Sequence, residues 1–235
     1  MSNLSNLSRR EFIYRGLASI AALSAGELLL RADARTTDQI ADLDVGVADF
    51  IDALSQQPAV DYQKLHPTAT TLLGNTYRQN APFRLNVSPG DPGQPLILHG
   101  RVWGADTRKP LPGAVLEVWQ ANMHGSYDND RGHTPPKGSF KNRAQIHTGG
   151  TGEYAFESIH PGPYRNPPGW RASHIHFKVH QAGYASCITQ LFFEGDPLNK
   201  TDQFIKPSLI VNYKKQNIKG RTYLVGNFDF VLAKA

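Results

Sequence analysis

From about residue 95 onward, short apolar runs alternate with clusters of glycine, proline and small polar residues. Several of these runs place apolar and polar residues in turn, which is the period of a strand with one buried face. The clusters between them, such as DTRKPLPG and HPGPYRNPPG, are rich in residues that favour turns. The pattern predicts an all-β fold, a two-sheet β-sandwich. The predicted strands are LILHGRVWG, AVLEVWQA, EYAFESI, SHIHFKV, CITQLFF, SLIVNY and TYLVGNFDFVLA.

The pattern before residue 95 is different. Apolar residues between Ile40 and Leu54 recur at helical spacing, Thr37 or Asp38 can cap the start, and Pro58 follows the end. The next segment, HPTATTLLGNTYRQNAPFRLNVSPGDPGQP, has little periodicity and is long for a plain connection. We therefore predict a short N-terminal helix and a long loop that covers part of the sandwich.

The beginning of the chain carries a candidate targeting signal. Arg9 and Arg10 precede a mildly apolar stretch, and an Ala-Asp-Ala sequence ends at Ala34. This arrangement is similar to a bacterial twin-arginine export signal with its cleavage site, although a disordered or amphipathic helical arm is an alternative. Glu27 interrupts the apolar stretch and argues against a membrane-spanning helix or stable membrane insertion. We expect an exported bacterial protein, periplasmic or extracellular, with the twin-arginine export machinery as a partner.

Length and composition are those of one folded domain with a leader and an arm. The 235 residues divide into a signal peptide (1–34), a helix and loop arm (35–94) and the sandwich (95–235). The net charge of +5 is spread along the chain without a Lys/Arg run, so a nucleic-acid partner is not expected. The only cysteine, Cys187, excludes an intrachain disulfide and a cysteine-based zinc site.

Two histidines lie one residue apart in the predicted strand of GWRASHIHFKV. Because strand side chains alternate, His174 and His176 share one face, while Ile175 and Phe177 share the other. Neutral imidazole is the commonest metal ligand in proteins. A pair of polar residues on a solvated sheet face has the same pattern, so the two histidines alone do not establish a metal site.

Two tyrosines precede the histidines in settings that place them near strand ends. Tyr127 follows the strand of VWQANMHGSYDND, and Tyr164 lies in a predicted loop stiffened by proline and glycine. A phenol has a pKa near 10, and a hard, highly charged cation lowers it and binds the phenolate. Two phenolates and two imidazoles therefore suit Fe(III) better than Zn(II). Spacing alone leaves open that both tyrosines are structural.

The region from about Pro95 to Val211 resembles the intradiol ring-cleavage dioxygenases, which include the catechol, hydroxyquinol and protocatechuate enzymes. The stretches that carry the resemblance are LILHGRVWGADTRKPLPGAVLEVWQANMHGSY, GEYAFESIHPGPY, WRASHIHF and ITQLFFEGD. It implies an enzyme that uses Fe(III) and O₂ to cleave a catecholic ring between its hydroxyl-bearing carbons, giving a cis,cis-muconate-type product. The implied iron ligands are Tyr127, Tyr164, His174 and His176.

The resemblance also implies roles for neighbouring residues. Arg171 would line the substrate site and stabilise negative charge on the substrate, and Gln190 is a candidate for the same task. Tyr164 would leave the iron when a catecholate binds and accept a proton from the diol. The stretch LLGNTY occupies the place of the family's pocket entrance and departs from its sequence, so it supplies only candidate pocket residues. These are Leu72, Leu73 and Tyr77.

Departures from the family leave substrate choice and dimerisation open. The usual proline after the arginine is Ala172, and the helical N-terminal half of the catechol enzymes is reduced to about one helix. A homodimer is therefore one expectation among others, while a small catecholic molecule and O₂ are the implied reaction partners.

Two other classes of protein fit parts of the sequence. PLILHGRVWGADTRKPLPGAVLEV is also typical of a transthyretin-like or carboxypeptidase-regulatory sandwich, which would be a non-catalytic binding module. That class does not explain the two tyrosines or the histidine pair. An exported zinc hydrolase would use the histidines, but the sequence has no third ligand beside a general base in the manner of HExxH.

Overall fold

A computed structural model of the protein describes residues 66–235. The predicted helix and the candidate export signal lie outside the described residues. Within that range no helix is long and apolar enough to cross a membrane, and apart from three short 3₁₀ helices the regular structure is β. The strands are Pro95–Gly104 (β1), Val115–Gln120 (β2), Arg143–His147 (β3), Glu153–Ile159 (β4), Tyr164–Asn166 (β5), Gly169–Arg171 (β6), His174–His180 (β7), Cys187–Phe193 (β8), Ile210–Val211 (β9), Tyr213–Ile218 (β10), Arg221–Asn227 (β11) and Phe230–Leu232 (β12); the 3₁₀ helices are Asp130–Gly132, Pro197–Lys200 and Pro207–Leu209.

The strands form two five-stranded sheets and one hairpin. The first sheet has the order β10-β11-β1-β12, with β4 paired to the other edge of β1. The second sheet has the order β3-β2-β7-β8-β9, and β5 pairs with β6. This architecture confirms the predicted all-β, two-sheet fold.

The core lies between the two sheets and is built from one face of each. Phe156 of β4 packs against Phe177 of β7 with ring centroids 6.1 Å apart, and Phe177 also packs against Phe230 of β12 at 5.0 Å. Ile175 and Phe177 are fully buried in this core. The alternation of β7 therefore directs His174 and His176 to the outer face of the second sheet, as predicted.

The last predicted strand, TYLVGNFDFVLA, is two strands in the structure. β11 pairs with the first half of β1 and β12 with the second half, and the chain leaves the ladder between them. The Asp229 carboxylate accepts there from the backbone N–H of Arg101 (2.8 Å) and from Trp103 Nε1 (3.0 Å). Gly100 is required beside this break, because a Cβ at that position would overlap the carbonyl of Phe228.

Two further strands were not predicted from the sequence pattern. β3, with the sequence RAQIH, pairs with β2, and β10, with the sequence YKKQNI, forms the edge of the first sheet beside β11. The predicted strand SLIVNY is correspondingly wrong in extent, because only Ile210 and Val211 pair within it before β10 begins at Tyr213.

Residues 71–82 of the segment before β1 run over the outer face of the second sheet, as the predicted covering loop should, whereas Val87 enters the core and bonds to Glu157 of the first sheet. The Thr71 N–H donates to Ile188 O of β8 (2.8 Å), and the Gln145 N–H of β3 donates to Pro82 O (2.9 Å). Between these points the segment crosses β7 and β2. We call residues 71–82 the covering segment.

An ion-pair cluster fastens the covering segment to the sandwich. The carboxylate of Asp128, just after Tyr127, pairs with Arg78 of the covering segment and accepts from Arg143 of β3 at 2.6 and 2.8 Å. Desolvation opposes ionisation of Asp128, but the hydrogen bonds and charges of the two arginines outweigh it and lower its pKa. The Asp128 carboxylate thus links the loop that carries Tyr127 to β3 and to the covering segment.

Candidate metal centre and active site

One row of paired residues crosses the outer face of the second sheet beneath the covering segment. Trp119 of β2 is paired with Arg143 of β3 on one side and with His176 of β7 on the other. His176 is in turn paired with Gln190 of β8. Side chains in register on adjacent strands point to the same face, so the fold brings these four together although 47 positions separate Arg143 from Gln190.

The four residues predicted to bind a metal lie together around His176 of this row. His174 Nε2 is 3.2 Å from His176 Nε2, which is 3.1 Å from the hydroxyl oxygen of Tyr127. The Tyr164 ring is 5.6 Å from that of Tyr127 and 5.5 Å from that of His174, centroid to centroid. Both histidines are 2% exposed and Tyr127 is 6% exposed. The structure therefore converges two ring nitrogens and a phenol oxygen in a buried site, with the second phenol ring beside them.

The turn before Tyr127 fixes its position. Asn122 Oδ1 accepts from the N–H groups of His124 (2.9 Å) and Ser126 (3.0 Å), and Gly125 adopts a positive φ of 74°. The Tyr127 N–H donates to Asp130 Oδ2 at 2.7 Å. Hydrogen bonds in the turn before Tyr127 and the bond to Asp130 after it therefore hold the Tyr127 backbone in place.

Tyr164 does not lie in a plain loop, and this corrects the sequence-based expectation. It begins β5, a three-residue strand that turns at Pro167 and Pro168 into β6. Tyr164 pairs directly opposite Arg171, so both side chains lie on one face of the hairpin. The strands are too short, and too rich in proline nearby, to be recognised by periodicity. The hairpin places the predicted proton acceptor beside the predicted charge stabiliser.

Burial keeps both histidines neutral. It lowers the pKa of His174 to about 4, with the positive charge of Arg171 as the second cause. Burial also lowers the pKa of His176 well below its usual value, and the charges of His174 and Arg171 act in the same direction. The backbone carbonyl of Ala172 lies 2.6 Å from His174 Nδ1, which therefore carries the proton and leaves the lone pair on Nε2. Neutral imidazole with a free Nε2 is the form that binds a metal ion.

The two tyrosines need a cation in order to ionise. Burial raises the pKa of Tyr127 well above its usual value, and the nearby Tyr164 raises it further. Burial also raises the pKa of Tyr164, although the charge of Arg171 opposes the shift. A highly charged metal ion would reverse this balance by binding the phenolates.

The donor set fits ferric iron. It combines two neutral imidazoles with two buried phenols, and phenolate oxygen suits a hard trivalent cation. Among residues 66–235, no group of three or more histidine, cysteine, aspartate or glutamate side chains could hold a metal. A zinc site of the usual histidine and carboxylate type is therefore not present in the described part of the chain.

Arg171 is buried beside the four candidate ligands, not paired at the surface. Its Nε donates to Asp202 Oδ2 at 2.9 Å, and its Nη2 donates to Gln190 Oε1 at 2.6 Å. The guanidinium carbon lies 4.3 Å from the centroid of the Phe204 ring. The sequence indicated Arg171 but gave no sign of Asp202 or Phe204, which lie in an irregular stretch beyond β8.

Gln190 connects Arg171 to the histidines. While its Oε1 accepts from Arg171, its Nε2 lies 3.3 Å from His176 Nδ1. The structure thus brings Gln190 into the site, where it contacts both a predicted ligand and the predicted charge stabiliser.

Two of the three candidate pocket residues reach the site. Leu73 and Tyr77 pack with Tyr127 and Tyr164 around Trp119, and the Tyr77 ring lies 5.1 Å from that of Trp119. Leu72 is 64% exposed and is not part of this cluster.

Trp119 is a site residue that the sequence reasoning missed. Its indole stacks on the imidazole of His176 with centroids 4.7 Å apart and planes 8° from parallel. Its Nε1 donates to Thr76 Oγ1 of the covering segment at 3.2 Å. Tyr77 of the same segment donates to Glu117 at 2.6 Å. The covering segment therefore fixes Trp119, and Trp119 in turn supports the His176 ring.

Comparison with known proteins gives the family of this β-sandwich with its buried cluster of two tyrosines and two histidines. Residues 69–234 match the family model for the dioxygenase domain Dioxygenase_C. Because this match spans most of the chain, the protein belongs to the intradiol ring-cleavage dioxygenase family. The transthyretin-like alternative is not favoured, since the match covers the same strands.

Relatives with known activities and structures support this membership. The chain is 29% identical over 198 residues to chlorocatechol 1,2-dioxygenase of Rhodococcus opacus, and the matched region covers 74% of this chain and 76% of that protein. It is 37% identical over 148 residues to catechol 1,2-dioxygenase 2 of Acinetobacter lwoffii. This match covers 55% of this chain and about half (52%) of that protein. The dioxygenase domain of a dioxygenase–carbohydrate-binding protein fusion from Streptomyces sp. SirexAA-E is 33% identical, with a TM-score of 0.61, over 72% of this chain and 100% of that chain.

Proposed function

We propose that the protein is a non-haem Fe(III) enzyme that cleaves catecholic rings with O₂ between the two hydroxyl-bearing carbons, giving cis,cis-muconate-type products. The observation that carries the proposal is the convergence of Tyr127, Tyr164, His174 and His176 in one buried site. Relatives named catechol and chlorocatechol 1,2-dioxygenase support a catecholic substrate.

These four residues would hold the iron. Ferric iron supplies the positive charge that stabilises bound phenolates and draws electron density from a bound diolate ring. His174 and His176 contribute neutral imidazoles, because burial disfavours their charged forms. Tyr127 contributes a phenol, and its backbone N–H is held by the Asp130 carboxylate.

Tyr164 and Arg171 would act on the substrate. The Tyr164 side chain is less buried than that of Tyr127, and its oxygen, once ionised by the bound metal, could accept a proton as the diol ionises. The Nη1 group of Arg171 makes no hydrogen bond within residues 66–235, whereas its Nε and Nη2 are both engaged. Nη1 is therefore available to stabilise negative charge that builds on the substrate.

The covering segment would exclude water from the reacting ring. Leu73 and Tyr77 place apolar surface over Trp119 and the candidate ligands. A site closed to water strengthens the charge interactions of Arg171 and protects reactive species from hydrolysis.

The first test is spectroscopic. After loading with Fe(III), the purified full-length protein should be red-brown through phenolate-to-iron charge transfer, and it should consume O₂ when catechol is added. A panel of catechol, protocatechuate, hydroxyquinol and chlorocatechols would identify the preferred ring. Tyr154→Phe serves as a control, because this buried tyrosine donates to Phe228 O in the first sheet and should not affect the band. Stoichiometric zinc, or no visible band after ferric loading, would contradict the proposal.

We also propose export of the folded protein by the twin-arginine route. The support is the Arg9–Arg10 pair before an apolar stretch and the Ala-Asp-Ala sequence ending at Ala34. With Cys187 as its only cysteine, the protein needs no oxidising compartment in order to fold. A homodimer stays a prediction from the resemblance.

Changing Arg9 and Arg10 together to lysine should retain the protein in the cytoplasm, because this route recognises the arginine pair. The measurement is the distribution of precursor and mature protein between cell fractions. Arg15→Lys is a matched control within the same leader and should leave export intact. Equal export of the double variant would rule out the assignment.

A further inference from the structure

Asp202 is a buried carboxylate that contacts the site only through other residues. It is 6% exposed, and its side chain is wholly buried. Its Oδ2 accepts from Arg171 Nε and from the Ala172 N–H, each at 2.9 Å, and its Oδ1 accepts from the Phe204 N–H at 2.9 Å. A buried charge is tolerated when it is paired and fully hydrogen-bonded, and Asp202 meets both conditions.

The partners of Arg171 leave one end of its guanidinium group free. Asp202 binds the Nε edge, Gln190 accepts from Nη2, and the Phe204 ring covers one face of the guanidinium plane. An arginine side chain has several rotatable bonds, and without these contacts its head group would adopt many orientations. The contacts therefore select the orientation in which Nη1 is left for a ligand.

The same carboxylate also binds the backbone next to a candidate metal ligand. Oδ2 fixes the peptide N–H of Ala172, and the carbonyl of Ala172 lies 2.6 Å from His174 Nδ1. Asp202 therefore contacts the charge stabiliser Arg171 directly and is linked to His174 only through the Ala172 peptide.

We propose that Asp202 is a positioning residue for ring cleavage, which holds Arg171 so that Nη1 faces the substrate. The proposal rests on the function proposed above. Because electron density passes from the diolate ring to O₂ as the new C–O bond forms, the charge that Arg171 faces changes in this step, and we expect Arg171 to contribute more to the transition state than to substrate binding. Loss of its orientation should therefore lower kcat more than it raises KM.

The first experiment compares Asp202→Asn with Asp196→Asn in the full-length, iron-loaded protein. Asp196 is a matched control because its carboxylate accepts from the backbone N–H groups of Ser173 and Leu198, each at 2.9 Å, without contacting Arg171. We expect Asp202→Asn to keep its iron and its visible band while kcat with catechol falls by about 10–100-fold, the range for a misplaced reacting group. We expect Asp196→Asn to keep a kcat close to that of the wild type.

A second experiment does not depend on how Asp202→Asn folds. In Arg171→Ala the Asp202 carboxylate loses its cationic partner, and added guanidinium can take that place. The Tm of this variant should therefore be higher in millimolar guanidinium chloride than in sodium chloride at the same concentration. It should not raise the Tm of the wild type. Guanidinium should also restore part of the catechol cleavage that Arg171→Ala loses.

The outcomes separate the two proposals. If wild-type protein loaded with iron does not cleave catechol, the proposed function fails, whereas the guanidinium effect on Tm still tests the contact. If the wild type is active and Asp202→Asn has the same kcat as the wild type, Asp202 does not position Arg171. The same conclusion follows if guanidinium neither raises the Tm of Arg171→Ala nor restores its activity.

Discussion

His174→Ala is expected to abolish stoichiometric iron binding and catechol cleavage together. His174 presents an unprotonated Nε2 to the cluster, since its Nδ1 donates to Ala172 O at 2.6 Å. Loss of an outer partner of a metal ligand already weakens metal affinity by about 10–100-fold, and loss of the ligand itself should cost at least as much. Iron content, the charge-transfer band and the rate of O₂ uptake should therefore all fall.

The fold should survive this change. His174 lies on the outer face of β7, away from the core residues Ile175 and Phe177. His99→Ala is a suitable control, because His99 is another partly buried histidine whose pKa is lowered by burial, but it lies on β1 in the first sheet. A His174→Ala protein that retains full iron and the wild-type band would show that the donor set is assigned wrongly.

Most strands could be predicted because one of their faces enters the core. β7 is the clearest case, since Ile175 and Phe177 alternate with His174 and His176 and each pair occupies the predicted face. The covering loop was predicted for the opposite reason, because a long stretch without periodicity has to lie on a surface.

The strands that the pattern missed lack a simple apolar alternation. β3 carries Arg143 and Gln145, and Arg143 is buried only because Asp128 supplies its charge partner. β10 is a polar edge strand with exposed residues from Lys214 to Asn217. Neither an ion pair formed with a distant loop nor an edge position is visible in local sequence.

The site was predicted as far as local motifs and family resemblance allow. The four candidate ligands and Arg171 belong to motifs of recognisable sequence, and the fold brings all of them together. Asp202, Phe204 and Trp119 act through contacts with residues far away in the chain. Those contacts depend on strand register and on the course of an irregular stretch, which a single sequence does not specify.

Tyr164→Phe and Tyr127→Phe are expected to have different effects. Tyr127 is buried, and its backbone is pinned by Asp130, so its phenol has little freedom to move. Tyr164 is less buried and lies on a short hairpin opposite Arg171, whose charge favours its ionised form. Tyr164 is therefore the better placed of the two to exchange a proton with a substrate.

Tyr164→Phe should keep iron but slow cleavage by about 10²–10⁴-fold, the usual contribution of a positioned proton acceptor. Tyr127→Phe should instead weaken iron retention and shift the visible band, because it removes the fixed phenol of the set. Iron content, visible spectra and single-turnover rates with catechol distinguish the two effects. Since Tyr164 is also half-buried against Tyr127 and His174, the Tm of each variant should be compared with that of the wild type before the rates are interpreted. A Tyr164→Phe protein that binds and cleaves catechol at the wild-type rate would exclude Tyr164 as the proton acceptor.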